Sequence, residues 1–164
     1  MAILLGISIA LWAILLLISG IPPVFSFEAV KKLPIVLSID VLLFGLFTKF
    51  FWKSKLLHGW LVPFPDLNGT WHGTIKSTWA NPETDQTLPP INAAIAIKQS
   101  FLGISCTMFT KEMTSKSCSA SFKIDGDNHE KKLIYTYVST PDATVRNRSA
   151  VHYGTALFDI VSNP

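Results

Sequence analysis

From Met1 to Ile21 the chain carries no charged side chain, and a second apolar run follows over Leu33–Phe51. About 20 consecutive, mostly apolar residues suffice for a helix to cross a hydrocarbon core of about 30 Å. A cleaved leader would need a basic start, a shorter apolar core and small residues before the cut. Here only the terminal amine precedes the run, so the pattern predicts a retained helix over residues 2–21. Pro22-Pro23 ends it, because proline lacks the N–H that would continue the ladder. The second helix is expected over residues 33–51, with Pro34 in the first turn, where a helix tolerates it. Lys49, Lys53 and Lys55 close that run, and Trp52 and Trp60 stand where an interfacial aromatic belt would be. Residues 1–55 therefore read as a transmembrane helical hairpin.

Charged residues make up 15% of the chain, against about 25% in an ordinary soluble domain. The net charge of +3 resides in the first 55 residues, and the remainder is balanced. With no basic stripe, DNA and RNA are excluded as partners. Lysines around the second run place the C-terminal domain on the cytoplasmic side. Two cysteines without a pairing pattern fit a reducing compartment. Asp40 is the one carboxylate of the second run. A carboxyl inside a bilayer is costly and marks function by default. It either pairs with a neighbouring hairpin or with Ser8 or Ser19, supporting oligomerisation, or it lies near enough to one face to stay hydrated.

The apolar period changes from helical to two at Gly69. Residues 56–68, with the stiff Leu61-Val-Pro-Phe-Pro-Asp66, read as a linker, and residues 69–164 as a β domain. Alternation predicts strands over Thr70–Trp79, Ile91–Gln99, Phe101–Thr110, Ser115–Ile124, Lys132–Val138 and Ala150–Val161, and leaves room for a seventh near Val145. Asp125-Gly-Asp-Asn128 is a strong turn signal. In the fourth strand Ser115, Ser117, Ser119 and Ser121 fall on one face, with Cys118, Ala120, Phe122 and Ile124 on the other. The spacing predicts a meander that closes as a small antiparallel barrel. Closure commonly takes about eight strands, so a further hairpin or a partner chain would complete it.

Catalytic patterns are missing. His58, His72, His129 and His152 lack metal-ligand spacing, and Cys106 and Cys118 form no CxxC. There is no phosphate-binding glycine loop and no GxSxG. No enzyme, metal or cofactor is expected.

The order of features resembles a known family. Two apolar runs and a short basic tether precede a meander that opens with Leu67-Asn-Gly-Thr-Trp-His-Gly73. Ile97-Lys-Gln-Ser100, Thr114-Ser-Lys-Ser-Cys-Ser119, Tyr135-Thr-Tyr137 and His152-Tyr-Gly-Thr-Ala156 follow. Together they resemble the two-transmembrane, β-barrel effector of bacterial cyclic-oligonucleotide-based anti-phage signalling systems (CBASS). The resemblance implies an eight-stranded, lipocalin-like barrel that binds a cyclic dinucleotide made by a cognate nucleotidyltransferase (CD-NTase). It further implies ligand-driven homo-oligomerisation in the bacterial inner membrane, disruption of that membrane, and growth arrest or death of the infected cell. The family pattern would have one more hairpin after the Gly-Thr-Ala strand.

Such a ligand needs hydrogen-bond donors, positive charge and flat side chains. Arg146 and Arg148 are the only arginines and share a face if their segment is extended, but a solvated loop is the stronger reading. Tyr135 and Tyr137 share a strand face and either donate or fill the core. Ser117 represents the serine face, which lines either a polar interior or a wet exterior. Trp79 is the favoured stacking residue, and Trp71 is read as a structural plug. The rivals are a tethered lipocalin-type carrier of an apolar ligand and a structural sheet that docks on a partner. Polar and arginine lining would speak for the nucleotide, aliphatic lining for a lipid.

Overall fold

The computed structural model describes residues 2–24, 26–78, 80, 82, 85–128 and 130–161. They form two compact units, Met1–Trp52 and Lys53–Pro164. The first holds α1 (Ala2–Ile18), the single turn α2 (Phe27–Val30) and α3 (Leu33–Lys49). Ser26 caps α2 by accepting from the Ala29 N–H at 3.3 Å. The Trp12 indole donates to the Ala29 carbonyl at 3.1 Å and so ties α1 to that turn. Leu16, Ala29 and Val36 are buried.

The helices are shorter than their apolar runs. α1 stops at Ile18 because the chain turns at Ser19-Gly20, where Gly20 takes φ +67°, a left-handed conformation that ends helices and favours glycine. α3 stops at Lys49, and Phe51–Lys53 tightens into a 3₁₀ turn. Each has 17 residues, a length of about 25 Å at 1.5 Å per residue. No described helix is long and apolar enough to cross a membrane. The expected transmembrane hairpin is thereby corrected. The inner-membrane lipid partner, the multi-pass placement and the ligand-driven gathering of spans fall with it. Asp40, the candidate for pairing spans, is a partly buried residue of α3.

The second unit is a six-stranded antiparallel meander in the order β1-β2-β3-β4-β5-β6. The strands are β1 (Gly69–Ile75), β2 (Ile91–Gln99), β3 (Ile104–Thr110), β4 (Met113–Asp125), β5 (Glu130–Pro141) and β6 (His152–Asp159). The segment near Val145, where a seventh strand had room, is a 3₁₀ turn over Ala143–Val145. β1 and β6 are the two edges, and the described residues do not pair them. The expected closed barrel is thus an open sheet. Six strands fall short of the roughly eight that a small antiparallel barrel uses.

Ile97, Cys106, Leu133 and Tyr135 form the buried centre of one face, flanked by Ile95, Ile104, Ala120, Phe122, Tyr137 and Ala156. The segment expected as a stiff linker packs on the sheet. Phe64 stacks on Phe122 at 5.3 Å and packs against Phe101 at 5.7 Å. Gln99, itself buried, holds the segment down. Its amide oxygen accepts from the Leu67 N–H at 2.7 Å, and its amide nitrogen donates to the Pro65 carbonyl at 2.9 Å. Asn68 completes the clamp by exchanging hydrogen bonds with the Gln99 backbone at 2.7 and 3.0 Å.

Replacing Gln99 with Leu keeps the volume but orphans the Leu67 donor and the Pro65 acceptor. The variant is expected to lose about 3 kcal/mol of unfolding free energy, since each partly buried group left without a partner costs about 1–3 kcal/mol. Denaturant titration of the two proteins measures the difference.

Candidate functional site

The central face depends on one irregularity in β4. Ser115 stands opposite Ser139 and Ser117 opposite Tyr137, but the next pair is Ser119 with Thr136. A bulge at Cys118 absorbs the extra residue, and a bulge of this kind reverses which face the following side chains take. Ser115 and Ser117 therefore share a face with Ala120 and Phe122, and Ser119 and Ser121 lie on the other. The expected four-serine face is corrected accordingly. The Ser117 hydroxyl accepts from the Cys106 N–H at 2.9 Å, occupying a donor where the β3–β4 ladder ends. On the outer face the Ser119 and Thr136 hydroxyls meet at 3.0 Å. On the inner face the Ser115 hydroxyl donates to Ser139 at 2.9 Å.

This face curls around a cavity of about 420 Å³. Both edge strands line it, β1 through Trp71 and Ile75, and the end of β6 through Phe158. Ile95, Ile97 and Leu133 form further apolar walls. His72, Thr74 and Asp159 border it, but strand alternation turns their side chains to the face away from Trp71 and Phe158, and no lysine or arginine lines it among the described residues. Trp71 is 52% exposed, and its indole donates to the Leu67 carbonyl at 3.0 Å. The ring is thus fixed in orientation with a free face, the opposite of the plug expected from sequence. Trp79, the favoured stacking residue, lies outside the described residues.

The two tyrosines are adjacent on the inner face, with ring centroids 5.9 Å apart. Tyr135 is 1% exposed and stacks on Phe158, also at 5.9 Å. Tyr137 lies over Gly154, so close that a Cβ there would sit 2.5 Å from its hydroxyl oxygen. A ring laid over an edge-strand glycine covers backbone that would otherwise face water. Arg146 and Arg148 leave extended structure for the turn after Ala143–Val145, so they do not share a strand face. Both are exposed, and Arg148 pairs with Glu112 in the β3–β4 turn. The site residues expected from sequence are thus dispersed. Tyr135, Tyr137 and Ser117 gather on the inner face, behind the cavity rather than in its lining.

Residues 62–164 match the family described as Cap15, cyclic dinucleotide receptor domain. The chain belongs to this family. Nothing among curated proteins or solved structures matches it. The match covers the receptor domain alone. The expected two-transmembrane, closed-barrel effector is corrected, because no described helix is long and apolar enough to cross a membrane and the sheet is open. The family description names a receptor, and the described residues hold no cluster of metal-ligating side chains.

Sequence periodicity pointed to the inner-face apolar residues, and Trp71 lay within the opening motif of the meander. The roles of Phe158 and Gly154 were not legible. They depend on which residues of β6 face β5, a matter of register between strands.

Two outcomes follow for this face. Gly154→Ala forces the new methyl into Tyr137 and is expected to cost about 2 kcal/mol or more, typical of an overpacked core. Combining it with Tyr137→Ala should remove that clash, so that in a double-mutant cycle the glycine change costs much less without the ring. The second outcome concerns pH. Burial pushes the Cys106 thiol up to about 11, and burial, with Cys106 and Tyr137 nearby, pushes the Tyr135 phenol up to about 12. Both hold their protons in the folded chain where the unfolded chain has lost them. The folded state then binds more protons, so stability falls as pH rises from about 9 to about 12. Cys106→Ala should flatten the decline between about 9 and 11 and, since Cys106 also helps raise Tyr135, shrink the part above it without abolishing it. Unfolding titrations at a series of alkaline pH values test this.

Proposed function

We propose that the chain is a receptor for a cyclic dinucleotide, taken into the cavity between β1 and β6. The observation that carries this reading is Trp71, an indole held by its own N–H and presenting a free face to a cavity of about 420 Å³. That volume lies within the roughly 300–1,000 Å³ typical of small-molecule sites. A nucleobase offers a flat π face, and stacking on an aromatic side chain is worth about 1–3 kcal/mol per base. Phe158 supplies a second aromatic surface in the same cavity.

The apolar lining suits the bases better than the phosphates. Two phosphodiester anions buried without a positive partner would carry a large desolvation cost. In this reading the bases enter and the phosphates stay hydrated at the mouth between the free edges. The His72, Thr74 and Asp159 side chains alternate to the opposite face, where Asp159 pairs with Lys132 at 3.5 Å, so the bases meet an apolar and aromatic surface. A receptor of this design draws its affinity from stacking and from exclusion of water, with little Coulombic attraction. Its binding should therefore depend weakly on salt.

Calorimetry of the full chain against a panel of cyclic dinucleotides, with a fatty acid as comparison, tests the reading. Heat is expected with at least one cyclic dinucleotide and none with the fatty acid. Trp71→Ala is expected to weaken binding about tenfold, as the loss of one base stack implies. Heat with the fatty acid alone, or none with any nucleotide, would overturn it.

A further inference from the structure

Tyr135 is buried to 1% exposure, and its hydroxyl has no hydrogen-bond partner among the described residues. Buried tyrosine hydroxyls usually find one. An unpaired buried donor weakens the fold, and a phenylalanine would fill the same space without that cost. The core around it offers little relief: Ile97, Cys106 and Leu133 share its cluster. On its other side lies the Phe158 ring, nearly parallel to it at 18°. Phe158 also lines the cavity, and it stands on an edge strand, 38% exposed. A single aromatic side chain thus touches both the buried phenol and the ligand space. Part of that ring faces solvent, so a change of rotamer has somewhere to go.

The cavity has the complementary shortage. Donors are scarce in it: the Trp71 indole N–H is engaged with the Leu67 carbonyl, and the His72 and Thr74 side chains alternate to the other face. A nucleotide carries base carbonyls, ring nitrogens and phosphate oxygens, all acceptors. The molecule therefore holds a donor without an acceptor behind a movable ring, and a cavity suited to a ligand rich in acceptors in front of it.

We propose that Tyr135 is a specificity-determining donor for the ligand: Phe158 moves aside on binding and the Tyr135 hydroxyl bonds an acceptor on the nucleotide. This rests on the cyclic dinucleotide reading. The same hydroxyl that weakens the free protein strengthens the complex, and the two effects separate in one variant.

The test is Tyr135→Phe in the full chain, with thermal melting of the free protein and calorimetry against the cyclic dinucleotide that the unaltered protein binds. The expected result is a melting temperature no lower than that of the unaltered protein, together with binding at least tenfold weaker, the size expected for a hydrogen bond to a strongly polar or charged acceptor. Binding within twofold of the unaltered protein would overturn the proposal. So would a lowered melting temperature, which would mean that the hydroxyl is already bonded in the free chain. If the unaltered protein binds no cyclic dinucleotide, the receptor reading itself fails, and that outcome is distinct from either of these.

Discussion

One extra residue in β4 decides how the rest of the sheet is used. Without the bulge at Cys118, Ser115 and Ser117 would stand on the face opposite Ala120 and Phe122. The inner face would then be apolar at one end of β4 and displaced at the other. With it, Ser117 reaches the Cys106 N–H, and Ala120 and Phe122 join the buried cluster around Leu133 and Tyr135. Bulges also strengthen local twist, which suits a sheet that must curl. The apolar cup and the satisfied backbone at the end of the β3–β4 pairing come from the same feature.

The cup stays open because six strands do not bring β1 and β6 into register with each other. In a closed barrel the space between them would be filled by ladder hydrogen bonds and packed side chains. Here it is a cavity with one wall on each edge strand. The segment leading into β1 also contributes, held by Gln99 and stacked through Phe64. The cavity thus sits at the rim of a half-closed sheet, with a packed floor and two unpaired edges. Trp71 and Phe158 line it from the two edges.

In the proposed reading, affinity for the ligand comes from shape and aromatic surface. The arginines that seemed suited to phosphate lie on an exposed turn, and one is engaged with Glu112. A guanidinium held by a neighbouring carboxylate adds little attraction for an anion, because the two charges largely cancel at a distance.

Much of the architecture was legible in the residues. Period-two alternation located all six strands within a few positions, since side chains on a strand must alternate between core and solvent. Asp125-Gly-Asp-Asn128 marked its turn because the Asp125 carboxylate accepts from the backbone and side chain of Asn128. Other features required the folded chain. Hydrophobicity placed the two apolar helices, but their ends were set by Gly20 and by the tightened turn after Lys49, local dihedrals that an apolar count does not register. The serine face was misjudged because a bulge inserts one residue without any compositional mark. Trp71 and Phe158 came to line the cavity, and Tyr135 became an orphaned donor, through cross-strand register and sheet curl. Alternation fixes which residues can share a face; only the pairing of distant strands fixes which of them meet.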